Sequence, residues 1–362
     1  MKKKRFLIWL FAVILLGAIV IGGCSQPQTT PSAPSTEGQT ETKEPAKTVQ
    51  PVELNFATWH HPTYPLNTGV WEPFIKDVEE KTEGRVKIYF HPGSVLVKGD
   101  ETYDAVKTGT IDMGFTLQSY TTGVFPLTSI LEFPFMFTSS KQVCLTVAEL
   151  LKTNEAFQKE YGEVIPVWVG ATDTSMMIAT KKVNKVEDFK GLRIRTPGII
   201  QNDVCNVLEI VPVSMPYAEV YDAIQRGVVD GTFGPQCSIL EHNFHEVAKE
   251  LLHFELYVTP LFVSMNKNSW NKISPEDQAT IQELMDQLPE KIGNQYDTRL
   301  EADKKIWVEN GLIENSLPEE EMQKIHTMLE PLIDKWLSDM EAKGIPGREV
   351  YEEIKRLAEK YK

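Results

Sequence analysis

In Gly191-Leu-Arg-Ile-Arg-Thr-Pro-Gly198, Arg195 closes a short apolar strand just before Pro197, which has no N–H to extend a ladder. A guanidinium is planar, always charged and donates two parallel hydrogen bonds, so a strand end of this kind suits capture of a carboxylate. Trp59, Trp168, Tyr217 and Phe233 fall at or near the boundaries of expected elements. Rings in such places can wall an apolar pocket that a few polar groups orient. Each of these residues alone also fits a plain role, a surface strand end for the arginine and core packing for the rings. Together they form a coherent set for an organic acid with a modest apolar body. His60, after the first expected strand, and Gln118, after the strand at Ile111, are further polar candidates.

The chemistry of an enzyme is harder to find. No Gly-x-Ser-x-Gly elbow, Gly-rich phosphate loop or dinucleotide fingerprint occurs. His245-Glu246 opens like a zinc-protease helix, but position 249 is lysine. The paired His60 and His61 would point apart on extended backbone, which disfavours joint chelation, and His242, His245 and His253 read as ordinary helical histidines. No cofactor and no metal are expected. The formal charge is −14, and the four basic residues near the N-terminus leave the rest more acidic still. This argues against nucleic acid, whose binding rests on Lys and Arg neutralising phosphates.

The elements that must position these residues alternate. Strands are predicted at Leu54–Thr58, Val86–Phe90, Val164–Val169, Met176–Ala179, Leu192–Arg195 and Leu261–Met265. Helices are predicted at Gly69–Thr82, Glu101–Lys107, Tyr217–Gln225, Pro318–Asp339 and Arg348–Tyr361, with another starting at Ser274-Pro-Glu-Asp, where Ser274 caps and Pro275 takes the first position. Ala105-Val-Lys-Thr-Gly-Thr-Ile-Asp-Met-Gly-Phe115 echoes Ala223-Ile-Gln-Arg-Gly-Val-Val-Asp-Gly-Thr-Phe233: a helix ending at a glycine, a β-branched strand, an aspartate. The pattern is that of an α/β fold, in which ligands bind in a crevice at the carboxyl ends of strands.

The N-terminus carries Lys2, Lys3, Lys4 and Arg5, an uncharged apolar run from Phe6 to Ile21, and Ile21-Gly-Gly-Cys24. This resembles a bacterial lipoprotein signal over 1–23 with Cys24 as the lipidated residue. Residues 24–50 are rich in Pro, Ser, Thr, Gln and Glu and read as a disordered tether. Cys144, Cys205 and Cys237 fit no metal spacing and read as buried thiols, with a Cys205–Cys237 bridge left open.

Over 52–362 the chain resembles the substrate-binding proteins of TRAP (tripartite ATP-independent periplasmic) transporters, the DctP-type family. The matching segments include Tyr103-Asp-Ala-Val-Lys-Thr-Gly-Thr-Ile-Asp-Met113, Glu132-Phe-Pro-Phe-Met-Phe137, Val186-Glu-Asp-Phe-Lys-Gly-Leu-Arg-Ile-Arg-Thr-Pro197 and Met215-Pro-Tyr-Ala-Glu-Val-Tyr-Asp-Ala-Ile-Gln-Arg-Gly-Val-Val-Asp-Gly231. The resemblance implies a non-enzymatic, two-lobed α/β receptor of periplasmic-binding-protein type. It has a ligand cleft between lobes and a long helix spanning both. Lobe I would hold 51–172 with about 261–305, and lobe II 173–260 with about 306–362. The receptor would close on an organic acid and deliver it to the membrane permease subunits, from the outer face of the cytoplasmic membrane through its lipid. The arginine that pairs with the carboxylate in the family falls on Arg195, and a ligand-packing aromatic falls on Tyr217. Trp59, His60 and Gln118 are the first-lobe candidates, with Phe233 and Trp168 as further walls. Many members carry Gln-Glu-Asn-Pro where this chain has Thr232-Phe-Gly-Pro235, and no second basic residue is evident near Met177–Thr180. The expectation is therefore a monocarboxylate with an apolar or aromatic portion. Rival readings are a receptor for another importer or a chemosensor, and a lipid-anchored enzyme using His60.

Overall fold

The computed structural model describes residues 50–362, so the expected signal, Cys24 and nearly all of the tether lie outside the described residues. The strands in chain order are β1 (Val52–Thr58), β2 (Val86–His91), β3 (Met113–Leu117), β4 (Ile165–Ala171), β5 (Ser175–Ala179), β6 (Arg193–Thr196), β7 (Val211–Ser214), β8 (Gly231–Pro235), β9 (Glu250–His253), β10 (Pro260–Met265) and β11 (Ile313–Ser316). They form two sheets, ordered β2-β1-β3-β10-β4 and β11-β9-β5-β8-β6-β7, one in each lobe.

In the first sheet β1 runs parallel to β2 and β3, with Phe56 opposite Phe90 and Met113. β10 joins antiparallel to both β3 and β4. The parallel pairs need helical crossovers, and the helices Glu72–Lys81 and Thr102–Thr108 supply them. In the second sheet β6 lies parallel to both β7 and β8, so Arg195 stands opposite Val213 and Thr232. The two echoed helix ends take the same cap: Gly109 and Gly227 have φ of 77° and 68°, a region where a side chain would be strained.

The chain crosses between sheets by Thr172–Thr174, returns by residues 254–259, and crosses a third time along the helix Leu288–Glu309. The first two connectors are laced together. Thr172 N donates to Thr259 O at 3.0 Å, Thr259 N to Thr172 Oγ1 at 3.1 Å and Ser175 N to Tyr257 O at 2.7 Å. The long helix buries Leu288, Ile292 and Tyr296 in the first lobe's core and Trp307 in the second's, so it spans both lobes.

Two expectations need correction. The helix predicted over Pro318–Asp339 is two helices, Glu319–Leu329 and Pro331–Ala342, because Pro331 cannot donate to the turn before it and begins a new helix instead. The placing of 306–362 with the second lobe holds only in part. β11 edges the second sheet and Ile325 and Leu329 pack on Phe189 and Ile194. Residues 331–360, however, bury Trp336, Leu337, Val350, Ile354 and Leu357 against Val143, Val147 and Leu150 of the first lobe. The apolar positions 350, 354 and 357 recur at helical spacing and seat on the helix Ser140–Thr153.

Candidate functional site

A cavity of about 30 Å³ lies where the lobes and their two laced connectors meet. Trp59, His60, Tyr64 and Leu117 line it from the first lobe, Arg195, Tyr217, Phe233 and His242 from the second, and Thr172, Tyr257 and Thr259 from the connectors. At roughly 10–15 Å³ per water, the cavity holds about two to three water molecules. A larger ligand requires the lobes to part.

Arg195 ends up here because β6 delivers it at its carboxyl end, with Pro197 terminating the strand. Its side chain is 1 % exposed. Nε donates to Met215 O at 2.9 Å and the guanidinium carbon sits 4.6 Å from the centre of the Tyr217 ring. Nη2 is buried with no hydrogen-bond partner among the described residues. Arg193, two residues earlier, is by contrast neutralised by Asp230, with Nη2 at 3.0 Å from Oδ1. A buried cation with an unused donor is costly unless a partner arrives.

Tyr217 forms the floor under that guanidinium. Its backbone N–H donates to the Tyr120 hydroxyl of the first lobe at 2.9 Å, and its own hydroxyl lies 2.5 Å from Ser238 Oγ. Ser238 donates to Pro235 O at 2.6 Å, so the Tyr217 hydroxyl is the donor to Ser238. This explains the glycine at 234: a Cβ there would collide with the Tyr217 hydroxyl. The space that a side chain at 234 could fill already holds a tyrosine hydroxyl whose hydrogen is spent.

On the facing lobe, β1 delivers Trp59 and His60 from its carboxyl end. Trp59, His60 and Tyr64 stack in sequence, with centroids 3.8 Å apart at each step. His60 Nδ1 lies 3.1 Å from Thr58 Oγ1, and burial, then the neighbouring His242, hold the imidazole well below its ordinary pKa. Trp59 Nε1 and the Tyr257 hydroxyl are, like Arg195 Nη2, buried without partners among the described residues. Burial also raises the Tyr257 hydroxyl, so it stays protonated and able to donate. The unspent donors of Arg195, Trp59 and Tyr257 thus outnumber the one buried, unspent acceptor among the lining residues described, Oε2 of Glu241, whose other oxygen pairs with Arg299 and whose carboxyl is raised to about 8 chiefly by burial. Among the described residues no group of three or more His, Cys, Asp or Glu side chains is placed to hold a metal ion.

Of the residues expected at the site, Arg195, Tyr217, Phe233, Trp59 and His60 meet in this cavity. Gln118 does not. It lines a separate cavity of about 190 Å³ with Glu132, Ile200 and Trp336, and its Nε2 donates to Tyr161 Oη and Leu261 O, each at 3.3 Å. Trp168 lies in the first lobe's core, edge-on to Trp71 and Phe115 at 6.3 and 6.1 Å. His242, read from sequence as ordinary, is a lining residue, because the turn after Ser238–Glu241 carries it back over Tyr217. Tyr257 and the two threonines escaped notice because connectors carry no periodic signal. Cys144, Cys205 and Cys237 are free and buried.

Comparisons with known proteins point one way. The family model described as bacterial extracellular solute-binding protein, family 7 (DctP) matches residues 56–339. The 2,3-diketo-L-gulonate-binding periplasmic protein YiaO of Escherichia coli K12 is 28 % identical over 66 % of this chain and 71 % of its own length. A marine metagenome TRAP solute-binding protein specific for aromatic acid ligands, solved with 3-hydroxybenzoate, superposes with a TM-score of 0.81 at 24 % identity, covering 86 % of this chain and 99 % of that one. A TRAP periplasmic solute-binding protein from Bordetella bronchiseptica with bound mandelate gives 0.80 at 24 % identity, covering 86 % and 100 %.

Proposed function

The chain belongs to the bacterial extracellular solute-binding proteins of family 7, the receptors of TRAP transporters, and from that premise we propose that it binds a monocarboxylate with an apolar or aromatic portion and hands it to a membrane permease. The observation that carries this reading is the buried Arg195 guanidinium with Nη2 unpartnered, in one cavity with the unspent donors of Trp59 and Tyr257. A carboxylate brings the acceptors those donors lack and the charge that Arg195 needs. Arg195 is the one lysine or arginine among the lining residues described, so one carboxylate is matched and a second is not. Trp59, Tyr217, Phe233 and Tyr257 give the remaining wall an aromatic character that suits an apolar body. The aromatic acid and mandelate named with the two structural neighbours are compatible with this class.

In this reading the lobes part about the 172–174 and 254–259 connectors and close on the ligand. A ligand that touches Arg195 on one lobe and Trp59 or His60 on the other favours the closed state by its contacts with both. Cys24 anchors the chain by lipid, and the residues after it serve as tether. A thermal-shift screen of the full chain against carboxylates, their neutral amides, sugars and amino acids tests the proposal. A ligand at a hundredfold excess over Kd stabilises the folded state by about 2.7 kcal/mol. Aromatic or apolar monocarboxylates should raise the midpoint and their amides should not. A rise with sugars alone refutes the reading.

A further inference from the structure

His242 enters the cavity from the second lobe, beyond the short helix Ser238–Glu241. Its ring stands edge-on to Tyr217 at 4.7 Å and nearly parallel to Trp59 of the opposite lobe at 6.0 Å, with 20° between the planes. Arg195 lies over that same Tyr217 ring at 4.6 Å, so the guanidinium and the imidazole both border one aromatic floor. Neither ring nitrogen of His242 hydrogen-bonds to another described residue. Burial, then the Arg195 charge, lowers its pKa to about 4, so at neutral pH the ring is uncharged and offers one N–H donor and one bare nitrogen acceptor.

A second carboxylate finds no cation at this ring, and an ammonium there would meet the Arg195 charge. An uncharged hydroxyl can donate to the bare nitrogen or accept from the N–H, so it satisfies either tautomer. Resting on the carboxylate reading above, we propose that His242 is a specificity-determining residue that hydrogen-bonds a hydroxyl group borne near the ligand's carboxylate, which makes the substrate class a hydroxylated monocarboxylic acid. The shared Tyr217 floor keeps the two anchors close, which fits a hydroxyl on the α-carbon of an arylacetate or on the ring of a benzoate.

Calorimetric titration of the full chain with matched acids tests this: phenylacetate against mandelate, and benzoate against 3-hydroxybenzoate. One net hydrogen bond predicts that the hydroxylated member of at least one pair binds about five- to tenfold tighter. In His242→Phe the preference should fall to about one, whatever the absolute affinities, and a single cooperative urea transition of the unliganded variant shows that it is folded. His242→Gln, with an uncharged donor and acceptor, should restore part of the preference. Equal binding within both pairs by the wild type overturns the proposal, as does a preference that survives His242→Phe or one that is lost in Tyr257→Phe instead. If no acid binds the wild type, the carboxylate reading itself falls, and this inference with it.

Discussion

Gly234→Ala tests how Tyr217 is held. An added Cβ meets the Tyr217 hydroxyl far inside contact distance, whereas the next atoms, Ser238 Oγ and Tyr217 Cζ, lie at 3.3 Å and need give by only a few tenths of an ångström. The hydroxyl cannot simply swing away, because it donates to Ser238, which is itself tied to Pro235 O. Overpacking of this kind costs about 1–3 kcal/mol. Tyr217→Phe removes the obstructing atom and one hydrogen bond, at about 1 kcal/mol, and leaves Ser238 its bond to Pro235. Independent effects would add to about 3 kcal/mol, but the double variant should cost only about 1, a coupling of about 2 kcal/mol between contacting sites. Urea unfolding of the wild type, both single variants and the double variant measures this cycle directly. Because the ring seats Arg195, affinity for the carboxylate should fall in Gly234→Ala and recover in the double variant. Additive losses would refute the steric account, and intact affinity in Gly234→Ala would refute the seating of Arg195.

Other consequences follow from the same geometry. Arg195→Met removes a buried charge that has no carboxylate partner, so the unliganded variant should unfold at a urea midpoint no lower than the wild type's; a clear loss of stability would mean the guanidinium is structurally paired. Tyr120→Phe deprives the Tyr217 N–H of its acceptor across the lobes, and acid affinity should weaken by about 1 kcal/mol by titration; unchanged affinity would show that this bond does not hold the lobes closed. Asp173, in the first connector, has its carboxyl raised to about 8 chiefly by burial. A raised carboxyl binds more protons folded than unfolded between about pH 4 and 8, so its contribution to stability is lost as pH rises through that window. Asp173→Asn should therefore gain in melting temperature relative to the wild type from pH 5 to pH 8, and a constant difference would contradict the shift.

Much of the fold is legible in the sequence because its punctuation is local. Gly109 and Gly227 cap helices as their positions predict, and the Ser274 side chain accepts from Asp277 N at the start of Pro275–Met285. Arg195 is legible because a charge before a strand-ending proline is conspicuous. What escapes is set by tertiary packing. Trp168 looks like Trp59 in sequence, yet it sits within β4 rather than beyond a strand end, and its ring packs among Trp71 and Phe115. His242 looks like any helical histidine until the turn after Glu241 folds it over Tyr217. Gly234 reads only as a departure from the Gln-Glu-Asn-Pro of many members, and only the structure shows the tyrosine hydroxyl that needs its space. The last two helices carry clear amphipathic patterns, but periodicity does not say which lobe they cover.

The central claim is that Arg195 holds a carboxylate. Calorimetric titration of the wild type and Arg195→Ala with an aromatic monocarboxylate, beside its neutral amide, measures it most directly. Truncating one partner of a buried charged pair costs at least about 2 kcal/mol, so the variant should bind at least about thirtyfold more weakly. The amide should bind both proteins poorly. Equal affinity of wild type and Arg195→Ala for the acid would contradict the account.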